Sequence, residues 1–569
     1  MIVGRGKRGG RVGRLAQRAA KPLIDPCPPG QTGGAYKPLT ETDIEKIYDT
    51  ALRLLETLGM GEIPDRLRSD LLAAGAVEGE HARLRLPRDM VGKAIELSAK
   101  TFVLHGRDES RSIEVGGDRV YFGTGGAAVQ TLDMDSGLYR SSTLADLHDF
   151  TRLQDTLANV SWFTRCCVAT DVPDNFDLDV NTVYALIRNT TKPTATSFTL
   201  AEYVAPIVEM LDIAAGGPGE FSKRPFMKAH ISPVISPLRF GDDAVDVVYE
   251  CIRHNIPLSC ITAAQAGATA PATLAGFLAQ SLAETLASLV MINTIQPGFP
   301  MVFSNWPLVI DLRTGAFSGG SSETAVLNAA SAQISNWLGL PSGVACSMTD
   351  AKAIDAQYGM EKGITSLAAA LAGGNLIYES SGMTASLLGA SFEAFVLDDE
   401  MHSHTYRVLR GIEVTDDNLG FDAICHAVLG DSHFLGGTHT IAAMERDYFY
   451  PKLADREQPQ TWAERGARDA WSLARARARR PEHPSPGISD RRTRSRHPRA
   501  LQHPFVKLSR SMRSCLSTKA IDDGWREARV HRATRTSCFG LVCGRRGHSR
   551  VSKRRTGSAR SSCQETGER

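Results

Sequence analysis

The hydrophobic positions between residues 42 and 58 recur at three- and four-residue steps. Ile44, Ile47, Tyr48, Ala51, Leu54, Leu55 and Leu58 share one face, which predicts an amphipathic helix over 42–58. Thr42 with Glu45 reads as a capping box, and Gly59 as the stop. Further helical patterns cover 66–74, closed by Gly75, and 88–99. Residues 35–115 are therefore expected to form an N-terminal helical cap.

From residue 120 the pattern changes. Short apolar runs at 120–123, 160–169, 194–198, 226–231, 256–262, 301–303, 342–347 and 375–378 read as strands. Helical candidates lie between them at 144–157, 204–214, 242–254, 273–293, 322–338 and 362–372. Eight strands alternating with helices predict parallel β/α units, and eight is the number that closes a barrel. The expected fold class is α/β: a (β/α)8 TIM barrel over 116–475, with the helical cap before it. A doubly wound sheet is the alternative, but no Gly-x-Gly-x-x-Gly follows the first strand. The ends of the strands are polar or glycine-rich: Gly123-Thr124-Gly125-Gly126, Gln265-Ala266-Gly267, Ser304-Asn305 and Ser347-Met348-Thr349-Asp350. In a barrel those C-terminal ends build the active site.

Composition adds one correction to this picture. The 569 residues are 42% hydrophobic and 22% charged, ordinary for a globular chain, with a net charge of only +2. That balance hides a division. Residues 474–569 hold 25 Lys+Arg against 7 Asp+Glu, which leaves 40 against 56 for residues 1–473. The body is acidic, which disfavours nucleic acid as its partner and suits a cationic ligand. The Arg-rich segment 476–569 is expected to stand outside the fold as a disordered tail. An out-of-frame translation is the preferred reading of it, and a nucleic-acid-binding arm the alternative. The basic leader, 1–34, lacks the apolar stretch of a secretory signal. No uninterrupted apolar run is long enough to span a membrane. The eleven cysteines show no CxxC spacing and read as reduced thiols, so a cytoplasmic location is expected. Glu393, Asp398, Asp399, Glu400, His402 and His404 cluster in sequence, but their spacing fits no standard site and no metal is expected.

The run from Gly339 to Lys362, Gly-Leu-Pro-Ser-Gly-Val-Ala-Cys-Ser-Met-Thr-Asp-Ala-Lys-Ala-Ile-Asp-Ala-Gln-Tyr-Gly-Met-Glu-Lys, resembles the signature of the trimethylamine methyltransferase family. Supporting matches are Tyr36-Lys37-Pro38-Leu39-Thr40, Leu104-His105-Gly106-Arg107-Asp108, Phe122 to Gly126, Asp311-Leu312-Arg313-Thr314-Gly315 and Leu371 to Tyr378, in the same order over about 35–475. The resemblance implies the same barrel. It also implies transfer of a methyl group from a methylated amine to the Co(I) corrinoid (cobalamin) carried by a separate protein, with no cofactor held tightly by this chain. Archaeal members carry pyrrolysine between the residues matching Ser347 and Thr349, where this chain has Met348. Non-pyrrolysine members include enzymes of quaternary amines such as glycine betaine, so the substrate implied is a methylated, preferably quaternary, amine. A homo-oligomer is expected, with no nucleic-acid or membrane partner.

A quaternary ammonium has no hydrogen to donate, so aromatic faces and carboxylates must hold it. Phe122, Trp162, Phe198, Trp306 and Tyr378 are the aromatic candidates and Glu379 a carboxylate. Asp350, Asp355 and Met348, after the seventh strand, are placed at the reacting centre, although capping of the next helix is an equal reading for the two aspartates. A betaine carboxylate would take His230, Arg165 or Lys352. Gln265 and Gln357, with Gly123, Gly125 and Gly126, are assigned to the corrinoid. Two other readings stay open: a barrel lyase with Lys228 as Schiff base, and nucleic-acid binding through the tail.

Overall fold

The structure, a computed structural model, describes residues 25–430 and 432–479. Eight strands close a parallel barrel: β1 Tyr121–Gly123, β2 Val160–Thr164, β3 Thr194–Thr196, β4 Met227–Ile231, β5 Leu258–Thr262, β6 Met301–Asn305, β7 Ser342–Ala345 and β8 Leu376–Tyr378. Neighbours pair in sequence order, and β8 closes on β1 with Leu376 opposite Tyr121. All eight expected strands are present.

The helices between them are α1 Leu144–Asp155, α2 Asn175–Asn189, α3 Val204–Ala215, α4 Asp242–Arg253, α5 Leu274–Ile295, α6 Ser322–Trp337, α7 Ala356–Leu371 and α8 Phe392–Arg410. Two of them were not expected. In α2, the buried Asp179, Asn181, Thr182 and Asn189 break up the apolar stripe. In α8, Asp398, Asp399 and His402 do the same. The acidic and histidine residues of this segment are spent on structure. Asp399 accepts from the Asn159 amide at 2.9 Å, and Glu400 from the amides of Lys452, Leu453 and Ala454.

The cap is three helices, Glu41–Arg53, Asp65–Ala73 and Arg88–Leu97. The first is capped by Thr40 with Asp43, two residues before the expected Thr42–Glu45 box. All three pack on α5. That explains why α5 is apolar on every side: it lies between barrel and cap. α5 is long and apolar enough to cross a membrane by length and composition, but most of it is buried inside the fold. At the other end of the body the helix Ala470–Ala478 packs along α8, so the ordered body continues past residue 475 to 479. Residues 1–24, expected to be part of a basic leader, and the tail from 480 lie outside the described residues.

Candidate active site

At the C-terminal ends of the strands, side chains from β2, β4, β6 and β8 converge. The Trp162 and Tyr378 rings meet edge to face at 4.4 Å, and Trp306 lies 4.7 Å from Tyr378. His230 stands edge-on to Trp306 at 5.2 Å and to Tyr378 at 5.6 Å. Met348 is fully buried in the same cluster. Strand alternation puts these side chains inside and Phe122 outside. The Phe122 ring stacks on His402 of α8 at 3.9 Å, so it is not part of the aromatic wall.

Lys228, mid-strand in β4, points into this centre. Its Nζ donates to Tyr378 Oη at 2.7 Å and to Ser259 Oγ at 3.0 Å, and sits over the Trp162 and Tyr378 rings. Burial pushes its amine well below the ordinary range. Burial also holds the His230 imidazole neutral, helped by Lys228 and Arg165.

Glu379, the first residue after β8, is buried and has left-handed backbone, φ +61°. Ser347, just past β7, does the same at φ +64°. Such strain persists only where the surroundings enforce it. Here Ser380 N–H and Oγ both donate to Gly123 O, at 3.1 and 2.5 Å, and Ser347 Oγ donates to Ser380 O at 3.1 Å. Behind them lies a buried ion pair, Lys362 Nζ to Asp398 Oδ2 at 2.6 Å. Asp398 also accepts from Tyr358 Oη and the Gly382 amide, and Lys362 donates to Ser380 O. Burial pushes the Glu379 carboxyl up to about 8, with Lys362 pulling the other way.

Four buried polar atoms on side chains gathered at this end have no partner among the described residues: Trp162 Nε1, His230 Nδ1, Trp306 Nε1 and Glu379 Oε2. Buried polar groups are normally paired, and leaving one unpaired costs about 1–3 kcal/mol. Orphans drawn from the ends of β2, β4, β6 and β8 mark a place for a small polar ligand. Arg165, just past β2, makes no hydrogen bond to a described residue; burial lowers its basicity and Asp179 opposes that. Thr262 and Asn305 also keep an oxygen unpaired, but they alternate outward from Ser259 and Ser304, and Asn305 donates to Ser281 of α5.

The other expected residues are placed differently. Asp350 is half-buried and ties three segments together. It accepts from Ser318 Oγ, the Gly319 amide and Ser386 Oγ, each at 2.9 Å. Asp355 is the exposed N-cap of α7, bonding the Tyr358 amide at 3.2 Å. Lys352 and Gln357 are exposed outside the mouth, with Gln357 donating to Glu361. Phe198 is buried beyond β3. Gln265 is half-buried in a short strand pairing with Leu308–Val309 at the rim. The three glycines are needed, but the neighbours that need them belong to the protein. A Cβ at Gly123 would lie 2.2 Å from the Trp162 ring, one at Gly125 2.6 Å from Glu379, and one at Gly126 2.3 Å from Met383. Their lack of a Cβ seats Trp162, Glu379 and Met383.

The family model for trimethylamine methyltransferase (MTTB) matches residues 7–482. The chain is 29% identical over 436 residues to a glycine betaine methyltransferase of Desulfitobacterium hafniense (strain Y51), covering 76% of this chain and 90% of that one. It is 30% identical over 441 residues to the trimethylamine methyltransferase MttB of Methanosarcina thermophila, again covering 76% and 90%. Among solved structures, a dihydropteroate synthase from Coxiella burnetii is similar at 12% identity with a TM-score of 0.34, over 54% of this chain and 99% of that one. The match runs across the cap, the whole barrel and the strand ends just described: this chain belongs to the trimethylamine methyltransferase family.

Proposed function

We propose that this enzyme takes a methyl group from a quaternary amine, such as glycine betaine, and passes it to the Co(I) corrinoid of a separate protein. The observation that carries the reading is the aromatic centre with Glu379 at its edge. Trp162, Trp306 and Tyr378 offer π faces, and Glu379, next in sequence to Tyr378 and packed on Gly125 and Gly126, keeps one oxygen unpaired among the described residues. Burial disfavours the charged forms of Lys228 and His230, which weakens their repulsion of a cation. Co(I) supplies the nucleophile for the methyl carbon; the C–N bond breaks and its electron pair stays on nitrogen. A fully charged nitrogen is a good leaving group without a proton, so the chain's task is to bind, orient and keep water out. Met348 suits that task, since it lines the centre with apolar surface and cannot do imine chemistry. Arg165 and the free Nδ1 of His230 give the opposite wall donors for a carboxylate, which suits a zwitterion better than trimethylamine.

A panel of glycine betaine, proline betaine, carnitine, choline and trimethylamine with Co(I) cobalamin, followed by corrin absorbance, tests this. Methylation with a quaternary amine is expected; no spectral change with any of them contradicts the proposal. Lys228 supports a second reading, a Schiff-base lyase, because burial lowers its amine. Borohydride with a carbonyl substrate would then trap an adduct on Lys228, and none is expected here.

A further inference from the structure

Two half-buried side chains close on the aromatic centre from loops at the mouth. Phe317, in the loop after β6, and Leu387, in the loop after β8, pack on the cluster that holds Trp306, Met348 and Tyr378. The Asp311–Gly315 motif is the turn that presents Phe317. Its Asp311 side chain accepts from the amides of Arg313 and Thr314, at 2.8 and 3.2 Å, and its carbonyl from the Gly315 amide at 2.7 Å. The chain folds back so that Phe317 bridges to Ile310. Gly319 lets the ring close on Met348: a Cβ there would lie 3.0 Å from the Met348 side chain and 3.1 Å from the Phe317 ring.

Leu387 sits in a strained turn. Ala385, Ser386 and Leu387 all have left-handed backbone, φ +50°, +55° and +69°. Three such residues in a row without a glycine persist only where the surroundings enforce them, and such strain gathers at functional sites. The segment after β7 enforces it here. Ala385 N–H donates to Ala351 O at 2.8 Å, Ser386 N–H to Thr349 O at 3.0 Å, and Ser386 Oγ to Asp350 at 2.9 Å. The same Asp350 accepts from Ser318 Oγ and the Gly319 amide, next to Phe317. One carboxylate therefore sets both apolar side chains.

We propose that Phe317 and Leu387 are specificity-determining residues: an apolar roof, latched by Asp350, that limits the ligand to compact quaternary amines with a short arm on nitrogen. The inference rests on the quaternary-amine reading of the centre. Neither side chain offers a charge or a hydrogen bond, so each acts by volume, and Asp350 is a positioning residue that acts through them.

Titration calorimetry on the full chain tests this by comparing glycine betaine with carnitine, whose arm is longer. The wild type is set beside Phe317→Ala, Leu387→Ala and Asp350→Ala, with circular dichroism as the check on folding. The wild type is expected to favour glycine betaine. Each substitution should raise the ratio of carnitine to glycine betaine affinity at least ~10-fold, the scale on which a pocket wall discriminates by size. A merely structural loss would weaken both ligands alike. Hydrogen exchange read by mass spectrometry needs no ligand: Asp350→Ala should speed exchange in both 309–320 and 383–388. A wild type that favours carnitine, a ratio unchanged in Phe317→Ala and Leu387→Ala, or only one loop responding to Asp350→Ala would overturn the inference and leave the quaternary-amine reading standing. A wild type that binds neither ligand would remove that reading and this inference with it.

Discussion

Cation binding at the mouth should release a proton, and Glu379 should be its source. With its carboxyl pushed up to about 8, Glu379 is roughly 90% protonated at pH 7, and ionising it costs about 1.4 kcal/mol. A quaternary ammonium about 4 Å away returns about 4 kcal/mol at an effective dielectric of 20. Attraction therefore outweighs the cost, and the carboxyl ionises when the cation arrives. The sign follows from the raised value: the empty site holds its proton below pH 8, so binding is weakened as pH falls. Between pH 8 and pH 6 the ionised fraction drops from about one half to about 1%, so affinity should fall about 50-fold. Titration calorimetry with glycine betaine, in two buffers of different ionisation enthalpy, measures both quantities without any corrinoid. We expect about 0.9 proton released per ligand at pH 7, and none in Glu379→Gln, whose affinity should be weaker and flat with pH. Binding of equal strength at pH 6 and pH 8, with no proton released, would refute the reasoning.

Three further outcomes follow from the same geometry. Lys362→Met leaves Asp398 buried beneath the Glu379 turn without its counter-charge; a loss of about 3–5 kcal/mol is expected, read as a lower melting temperature, and Lys362→Met/Asp398→Asn should recover part of it. Asp350→Ala frees Ser318, Gly319 and Ser386 from one another and should cut turnover more than tenfold while leaving proton release on cation binding intact; unchanged turnover would reduce Asp350 to a loop tie. Arg165→Met should weaken glycine betaine by about 1.5–3 kcal/mol, the worth of a charged hydrogen bond, and leave choline, which lacks the carboxylate, unaffected; equal losses for both ligands would count against a carboxylate contact.

Much of this architecture can be read from the sequence, and the exceptions have physical causes. Strands buried on both faces read as apolar runs, so all eight were legible. The same property hides which residue faces inward, which is why Phe122 could not be told from its neighbours. α2 and α8 were obscured because their buried faces hold carboxylates, amides and a histidine whose partners are remote in sequence, such as Asp398 with Lys362. A capping motif cannot be placed to the residue where Thr40-x-x-Asp43 and Thr42-x-x-Glu45 overlap. Trp162, His230, Trp306, Tyr378 and Glu379 were legible as residues of the strand ends, because each lies in or just past an apolar run. Asp355 was ambiguous from the outset between cap and carboxylate, and it is the cap. The strained turn at Glu379, and the ion pair that underpins it, depend on tertiary contacts that no local pattern announces.

The central claim is that this chain moves a methyl group from the nitrogen of a quaternary amine to cobalt. Its most direct test is a single turnover with glycine betaine bearing deuterated methyl groups and Co(I) cobalamin, with both products read by mass spectrometry. One deuterated methyl on cobalamin is expected for each molecule of dimethylglycine formed. Dimethylglycine without labelled cobalamin, or neither product formed, would contradict it.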